Sequence, residues 1–134
     1  VIDRLIVIVM LAGLAVAAYR LLALWQVRRA GRVALSDPVL AGLRPGVPAI
    51  LYFTTPACGP CHVRQRPALR DLLADLGDAV QVIEVDALEQ ADAADRWGVM
   101  SVPTTFILDR QGRPRQINHG VAGPDKLRRQ LQAL

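Results

Sequence analysis

The chain has 134 residues, room for one small globular domain and an appendage, and 52% of it is apolar. Its net charge of +4 belongs to residues 1–33, where Arg4, Arg20, Arg28, Arg29 and Arg32 stand against Asp3. The remainder balances eleven basic residues with eleven acidic ones. With the excess charge confined to the flanks of the first segment and no aromatic–basic interleaving elsewhere, the composition excludes a nucleic-acid footprint.

The first predicted element is an apolar run, Leu5 to Val27, broken only by Arg20 and Gln26. At helical rise it is long enough to cross a bilayer. Tyr19 and Trp25 sit towards its C-terminal end, where interfacial aromatics belong, and Arg20 can snorkel to the headgroups. Residues 1–28 therefore read as a single-pass anchor, with residues 5–27 in the lipid. The competing reading is a cleaved signal peptide, because Ala15-Val16-Ala17 resembles a cleavage site. Against it, apolar residues continue through Leu24. Three arginines lie just after the run and Arg4 alone precedes it, so the positive-inside rule places the C-terminal side of the chain in the cytoplasm.

Residues 29–48 read as a linker and lead-in, because Asp37-Pro38, Arg44-Pro45-Gly46 and Val47-Pro48 break regular structure. Residues 49–134 read as the folded domain. Ala49–Thr54 is an apolar, β-prone run. Pro60–Leu76 is helical, with Leu69, Leu72, Leu73 and Leu76 on one face, a kink at Pro67 and Gly77 as stop signal. Val80–Val85 shows little alternation and reads as a strand covered on both faces. A short helix over Leu88–Trp97 comes next. Thr104–Leu108 and Arg113–Ile117 form a hairpin around Asp109-Arg110-Gln111-Gly112. A last helix opens at Gly123-Pro124-Asp125. This order predicts a mixed sheet with helices on both sides.

The chemistry concentrates in Cys58-Gly59-Pro60-Cys61, which holds the only two cysteines. Placed between a strand and a helix, the motif puts two thiols at the first helical turn. There the unpaired N–H groups and the positive end of the helix dipole favour a thiolate. Such a thiolate attacks disulfides, and its neighbour one turn on can resolve the mixed disulfide. The competing reading is a zinc half-site, but His62 and His119 supply no second paired ligand motif. His62 reads as a solvated helix residue, since adjacent helical side chains do not face each other. His119 reads as a surface residue, and Trp97 and Phe106 as core.

Tyr52-Phe53-Thr54-Thr55-Pro56-Ala57-Cys58-Gly59-Pro60-Cys61, with Ser101-Val102-Pro103-Thr104-Thr105 downstream, resembles the thioredoxin family from about Ala49 to Leu134. The resemblance implies an α/β, thioredoxin-like fold whose N-terminal βα unit is shortened, since only about twenty residues separate the anchor from Ala49. It implies Cys58 as nucleophile, Cys61 as resolving thiol and a redox-active disulfide between them. Gly59, Pro60, Val102 and a cis Pro103 would meet the substrate. No metal and no cofactor beyond that disulfide are implied. The partners would be disulfide-containing proteins and an upstream reductant, and Gly-Pro between the cysteines resembles the reducing members. The activity expected is that of a membrane-anchored protein-disulfide reductase. Alternatives are an outward-facing oxidase or isomerase, a cytochrome-maturation-type reductant, and a non-enzymatic metal-binding module.

Four positions depart from the family pattern. Ala57 stands where tryptophan is usual, Tyr52 replaces the buried aspartate that takes the resolving thiol's proton, and Val82 replaces that aspartate's lysine partner. Pro67 falls one residue late. Proton transfer is left to water, Glu84 or Tyr52.

Overall fold

The computed structural model describes residues 1–34 and 36–134; Leu35, inside the predicted lead-in, lies outside the described residues. Eight principal elements are α1 (Ile2–Ala34), β1 (Ala49–Thr54), α2 (Arg66–Leu76), β2 (Gln81–Asp86), α3 (Ala91–Trp97), β3 (Thr104–Leu108), β4 (Pro114–His119) and α4 (Pro124–Gln132). The strands form one sheet in the order β2-β1-β3-β4. β1 and β2 run parallel, and the two other pairings are antiparallel.

β1 is buried along its whole length, and its pleat feeds two cores. Ile50 and Tyr52 pack with Cys61, Leu69, Leu72, Ile107 and Leu127 beneath α2 and α4. Ala49, Leu51 and Phe53 turn to the other face, with Trp97, Phe106 and Ala30. Here Trp97 and Phe106 stand edge to face, 5.0 Å between centroids, and Phe53 lies 5.9 Å from Phe106.

β2 is not covered on both faces. It is the edge of the sheet, Glu84 is exposed, and Val82 and Ile83 are only half-buried. The cause is the shortened lead-in, which supplies no strand among the described residues. A buried Gln81 side chain secures the start of this edge by accepting from the Arg44 N–H and donating to the Arg44 and Val47 carbonyls.

The lead-in itself differs from a linker. α1 continues through Arg28 to Ala34 without a break, and Ala30 is fully buried in the second core with Val33 and Ala34 beside it. After a 3-10 turn at Pro38–Leu40, the chain is pinned by Asp37. Its carboxylate accepts from Arg96 Nε at 2.9 Å, Arg96 Nη2 at 3.1 Å, Trp97 Nε1 at 3.1 Å and the Val39 N–H at 3.0 Å. The Arg96 guanidinium holds this carboxyl below the ordinary carboxylate range, against the opposing effect of burial.

Two other boundaries move for local reasons. α3 begins at Ala91 rather than Leu88 because Asp86 Oδ1 accepts the Leu88 and Glu89 N–H groups and holds a turn there. The β3–β4 turn is organised by Asp109, which accepts from the Gln111 and Arg113 N–H groups and from Arg115 Nε. Gly112 at φ +76 completes it, and β4 starts at Pro114 and runs on to His119.

Candidate redox site

The site lies where β1 ends and the next helix begins. The helical segment opens at Gly59-Pro60, where the His62 N–H reaches the Cys58 carbonyl, and passes into a π turn, Cys61–Gln65, in which the Arg66 N–H reaches back to the Cys61 carbonyl. Pro67, without an N–H of its own, sits in the first turn of α2. Where the sequence predicts a kink at Pro67, the helix carries a π turn that begins at Cys61 and ends just before α2.

Cys58 and Cys61 form a disulfide, with Cα atoms 5.3 Å apart. The two sulfurs differ in environment. Cys61 is fully enclosed, whereas Cys58 keeps 9% exposure. The Cys61 N–H donates to Cys58 Sγ at 3.2 Å. Once the pair is reduced, that N–H and the helix start favour a thiolate on Cys58.

Gly59 and Pro60 are exposed above the disulfide. The Val102–Pro103 peptide is cis, with Val102 half-buried and Pro103 buried. The Pro103 carbonyl accepts the Gly120 N–H at 2.9 Å, which ties this loop to the end of β4. Exposed Val63, Met100 and Val121 belong to the segments that meet at this pole, and the exposed Ala57 leaves it open on the side where the family carries tryptophan.

Gln65 escaped the sequence reading. It is completely buried, donates to the Ala122 carbonyl at 3.1 Å and accepts the Ala122 N–H at 2.8 Å. It therefore clamps the segment after β4 against the turn that carries Cys61. The available signal was its spacing, one turn before Leu69 and two before Leu72, on the apolar face.

Each of the two histidines is engaged by a neighbour. His62 Nε2 lies 2.8 Å from the Pro56 carbonyl, so the ring donates to the active-site loop rather than standing free in solvent. His119 is exposed and meets Gln26 of α1 at 2.9 Å. Among the described residues, no group of three or more His, Cys, Asp or Glu side chains is placed to hold a metal. The redox group is the disulfide itself.

Tyr52 lies below the disulfide, fully buried, and its hydroxyl donates to the Cys61 carbonyl at 3.3 Å. Burial pushes its pKa above the ordinary phenol value, which removes it as a base at neutral pH. It borders a cavity of about 460 Å³ shared with Val82, Arg66 and Glu84. Glu84 is paired with Arg66 Nη2 at 2.8 Å and about half exposed.

The thioredoxin family profile matches residues 43–133. The chain belongs to the thioredoxin family. Thioredoxin of Bacillus subtilis is 38% identical over 56 residues, covering 42% of this chain and 53% of that protein. The chloroplastic thioredoxin Y of rice is 29% identical over 86 residues, 64% of this chain and 50% of the relative. The chain thus spans about half the length of these curated relatives. Among solved structures, mitochondrial thioredoxin 3 of Saccharomyces cerevisiae, in its oxidised form, aligns with a TM-score of 0.58 at 25% identity, over 68% of this chain and 81% of that one. A malaria-parasite thioredoxin-2 aligns with a TM-score of 0.64 at 19% identity, over 71% and 91%, a likeness of fold. This thioredoxin-family chain carries a long α1 ahead of the matched region, with mean hydropathy 2.4 over its most apolar window and none of that window buried.

Proposed function

We propose that this chain is a membrane-tethered protein-disulfide reductase. Residues 1–28 serve as anchor, with the lipid contact in residues 5–27, and residues 49–134 carry the redox chemistry on the cytoplasmic side. The observation that carries the chemical reading is the unequal pair at the helix start, Cys58 reachable and Cys61 enclosed.

In the reduced form the Cys58 thiolate attacks one sulfur of a partner's disulfide. The partner S–S bond breaks, a mixed disulfide with Cys58 forms, and the departing sulfur takes a proton. Cys61 then gives up its proton and attacks Cys58 Sγ. The second partner sulfur leaves as a thiol and the Cys58–Cys61 disulfide returns. Two electrons have passed to the partner, and an upstream dithiol reductant restores the pair. Gly59, Pro60, Val102 and Pro103 form the surface on which the partner segment lies. Ala57 makes that surface more open than a tryptophan would, and the exposed Met100 adds apolar contact beside it.

Trapping tests the assignment of roles. Cys61→Ser should accumulate a mixed disulfide with a disulfide-bonded protein through Cys58, and Cys58→Ser should accumulate none. An adduct through Cys61 with Cys58 free would reverse the roles.

A further inference from the structure

The course of α1 fixes which end of the redox domain faces the membrane. Gln26 meets His119 at the end of β4. The cleft between helix and strand is lined by Tyr19, Arg20 and Leu24 on one side and by Arg115, Gln116 and Ile117 on the other. Traced backward from Gln26, the helix therefore accompanies β4 towards its start. β4 starts at the pole of the β3–β4 turn, whereas His119 pairs with Thr104, next to the cis peptide and the redox pole. The apolar part of α1 leaves the domain at the pole opposite the disulfide.

That opposite pole is cationic. It carries Arg44, Arg110, Arg113 and Arg115, with Asp78, Asp109 and the carboxylate of Leu134, which lines one cavity with Arg110 and Arg115, as its acidic groups. Asp109 is buried and committed to the turn and to Arg115, and Asp78 faces Arg44 at 3.7 Å. Arg110 and Arg113 are exposed and make no ion pair among the described residues.

We propose that this pole, led by Arg110 and Arg113, rests on anionic phospholipid headgroups, with the Cys58–Cys61 disulfide facing away from the bilayer. The inference rests on the reading of α1 as a tether. Polar β4 cannot enter hydrocarbon, so the helix beside it must already have left the lipid core. The hydrocarbon-embedded stretch then ends near Tyr19 and Arg20 rather than at Val27. Of the lipid contact in residues 5–27, the part up to Ala18 lies in the lipid core, and the part from Tyr19 onward lies at the headgroups and beside β4. Arg28, Arg29 and Arg32 are carried about 12–18 Å beyond Arg20 along the helix, at or past the Debye length. The headgroup charge is met instead by Arg20 and the turn arginines. β1 spans the sheet from this pole to the redox end and holds the disulfide roughly 20 Å farther from the lipid. A partner protein can then approach the disulfide from the aqueous side.

The test uses the full chain in vesicles of phosphatidylcholine mixed with phosphatidylglycerol, some lipids bearing a headgroup quencher. One fluorophore is placed by Gln111→Cys in a Cys58→Ser, Cys61→Ser background, another on Cys58 in Cys61→Ser. Strong quenching at position 111 with little at Cys58 is expected. Arg110→Glu with Arg113→Glu, or pure phosphatidylcholine, should weaken the quenching at 111 by at least about three-fold. Equal quenching at both positions, or quenching at 111 indifferent to both charge changes, would overturn the proposal while leaving the tether intact. Release of the chain from vesicles by alkaline carbonate would instead remove the tether, and this inference with it.

Discussion

Cys58 and Cys61 are chemically identical residues made unequal by their surroundings, one retaining slight exposure with an N–H aimed at its sulfur and the other fully sealed under α2. The role of Tyr52 comes from the same contrast. Its hydroxyl binds the Cys61 carbonyl and its raised pKa bars it from accepting the Cys61 proton near neutrality. Tyr52→Phe should therefore lower stability by about 1 kcal/mol, the worth of one buried hydrogen bond, and leave the pH profile of mixed-disulfide resolution unchanged. Tyr52→Asp should speed resolution near pH 7 and destabilise the fold by about 3–5 kcal/mol, because a large ring is lost and a carboxyl buried. Single-turnover resolution against pH, with urea melts, checks both. The gain in Tyr52→Asp should be absent if Glu84, across the shared cavity, already takes the proton; Glu84→Gln would then slow the wild type. Gln65→Leu leaves the Ala122 N–H and C=O buried without partners and should cost about 2–4 kcal/mol in a denaturant melt.

At the scale of elements, the strands and helices from Ala49 onward were legible because each announces itself locally. Ala49–Thr54 is apolar without interruption, Leu69 and Leu72 keep helical spacing, and Pro124 opens α4. The site was legible for the same reason, since its two sulfurs lie within four residues. The features that the sequence hid depend on distant partners. Val82 and Ile83 look fully buried until a missing neighbour makes β2 an edge. Arg28–Ala34 looks like a linker because nothing local shows that Ala30 fits against Phe53 and Trp97. Asp37 looks like a turn residue, yet it joins the lead-in to α3 through Arg96 and Trp97. Asp37→Ala should therefore destabilise the domain by about 2–4 kcal/mol, leaving a buried indole N–H unmatched. The carboxyls of Asp37 and Asp109 are both held below their ordinary value: Arg96 does so for Asp37, while at Asp109 the opposing effect of burial is outweighed by the Arg113 N–H and Arg115. The stability they add is complete above the unfolded carboxylate pKa of about 3.9 and is lost as pH falls below it through the folded values. Acid unfolding should therefore steepen below about pH 4, and less so in Asp37→Asn.

For the whole molecule, α1 belongs to two environments. Its first part is exposed and apolar, and its last turns complete the second core in place of the shortened βα unit. A chain beginning at Arg28 should fold stably, whereas one beginning at Ser36 should lose about 2–4 kcal/mol as Ala30, Val33 and Ala34 depart, a difference readable in urea melts. The same helix, continuous from the apolar stretch into the core, sets the direction in which the disulfide is presented. The central claim is that the Cys58–Cys61 pair passes electrons to protein disulfides. Insulin reduction driven by dithiothreitol, monitored by turbidity, tests it most directly. The full chain should accelerate precipitation well beyond dithiothreitol alone, and the Cys58→Ser, Cys61→Ser double variant should fall back to that baseline. A double variant as fast as the wild type, or a wild type no faster than dithiothreitol alone, would contradict the claim.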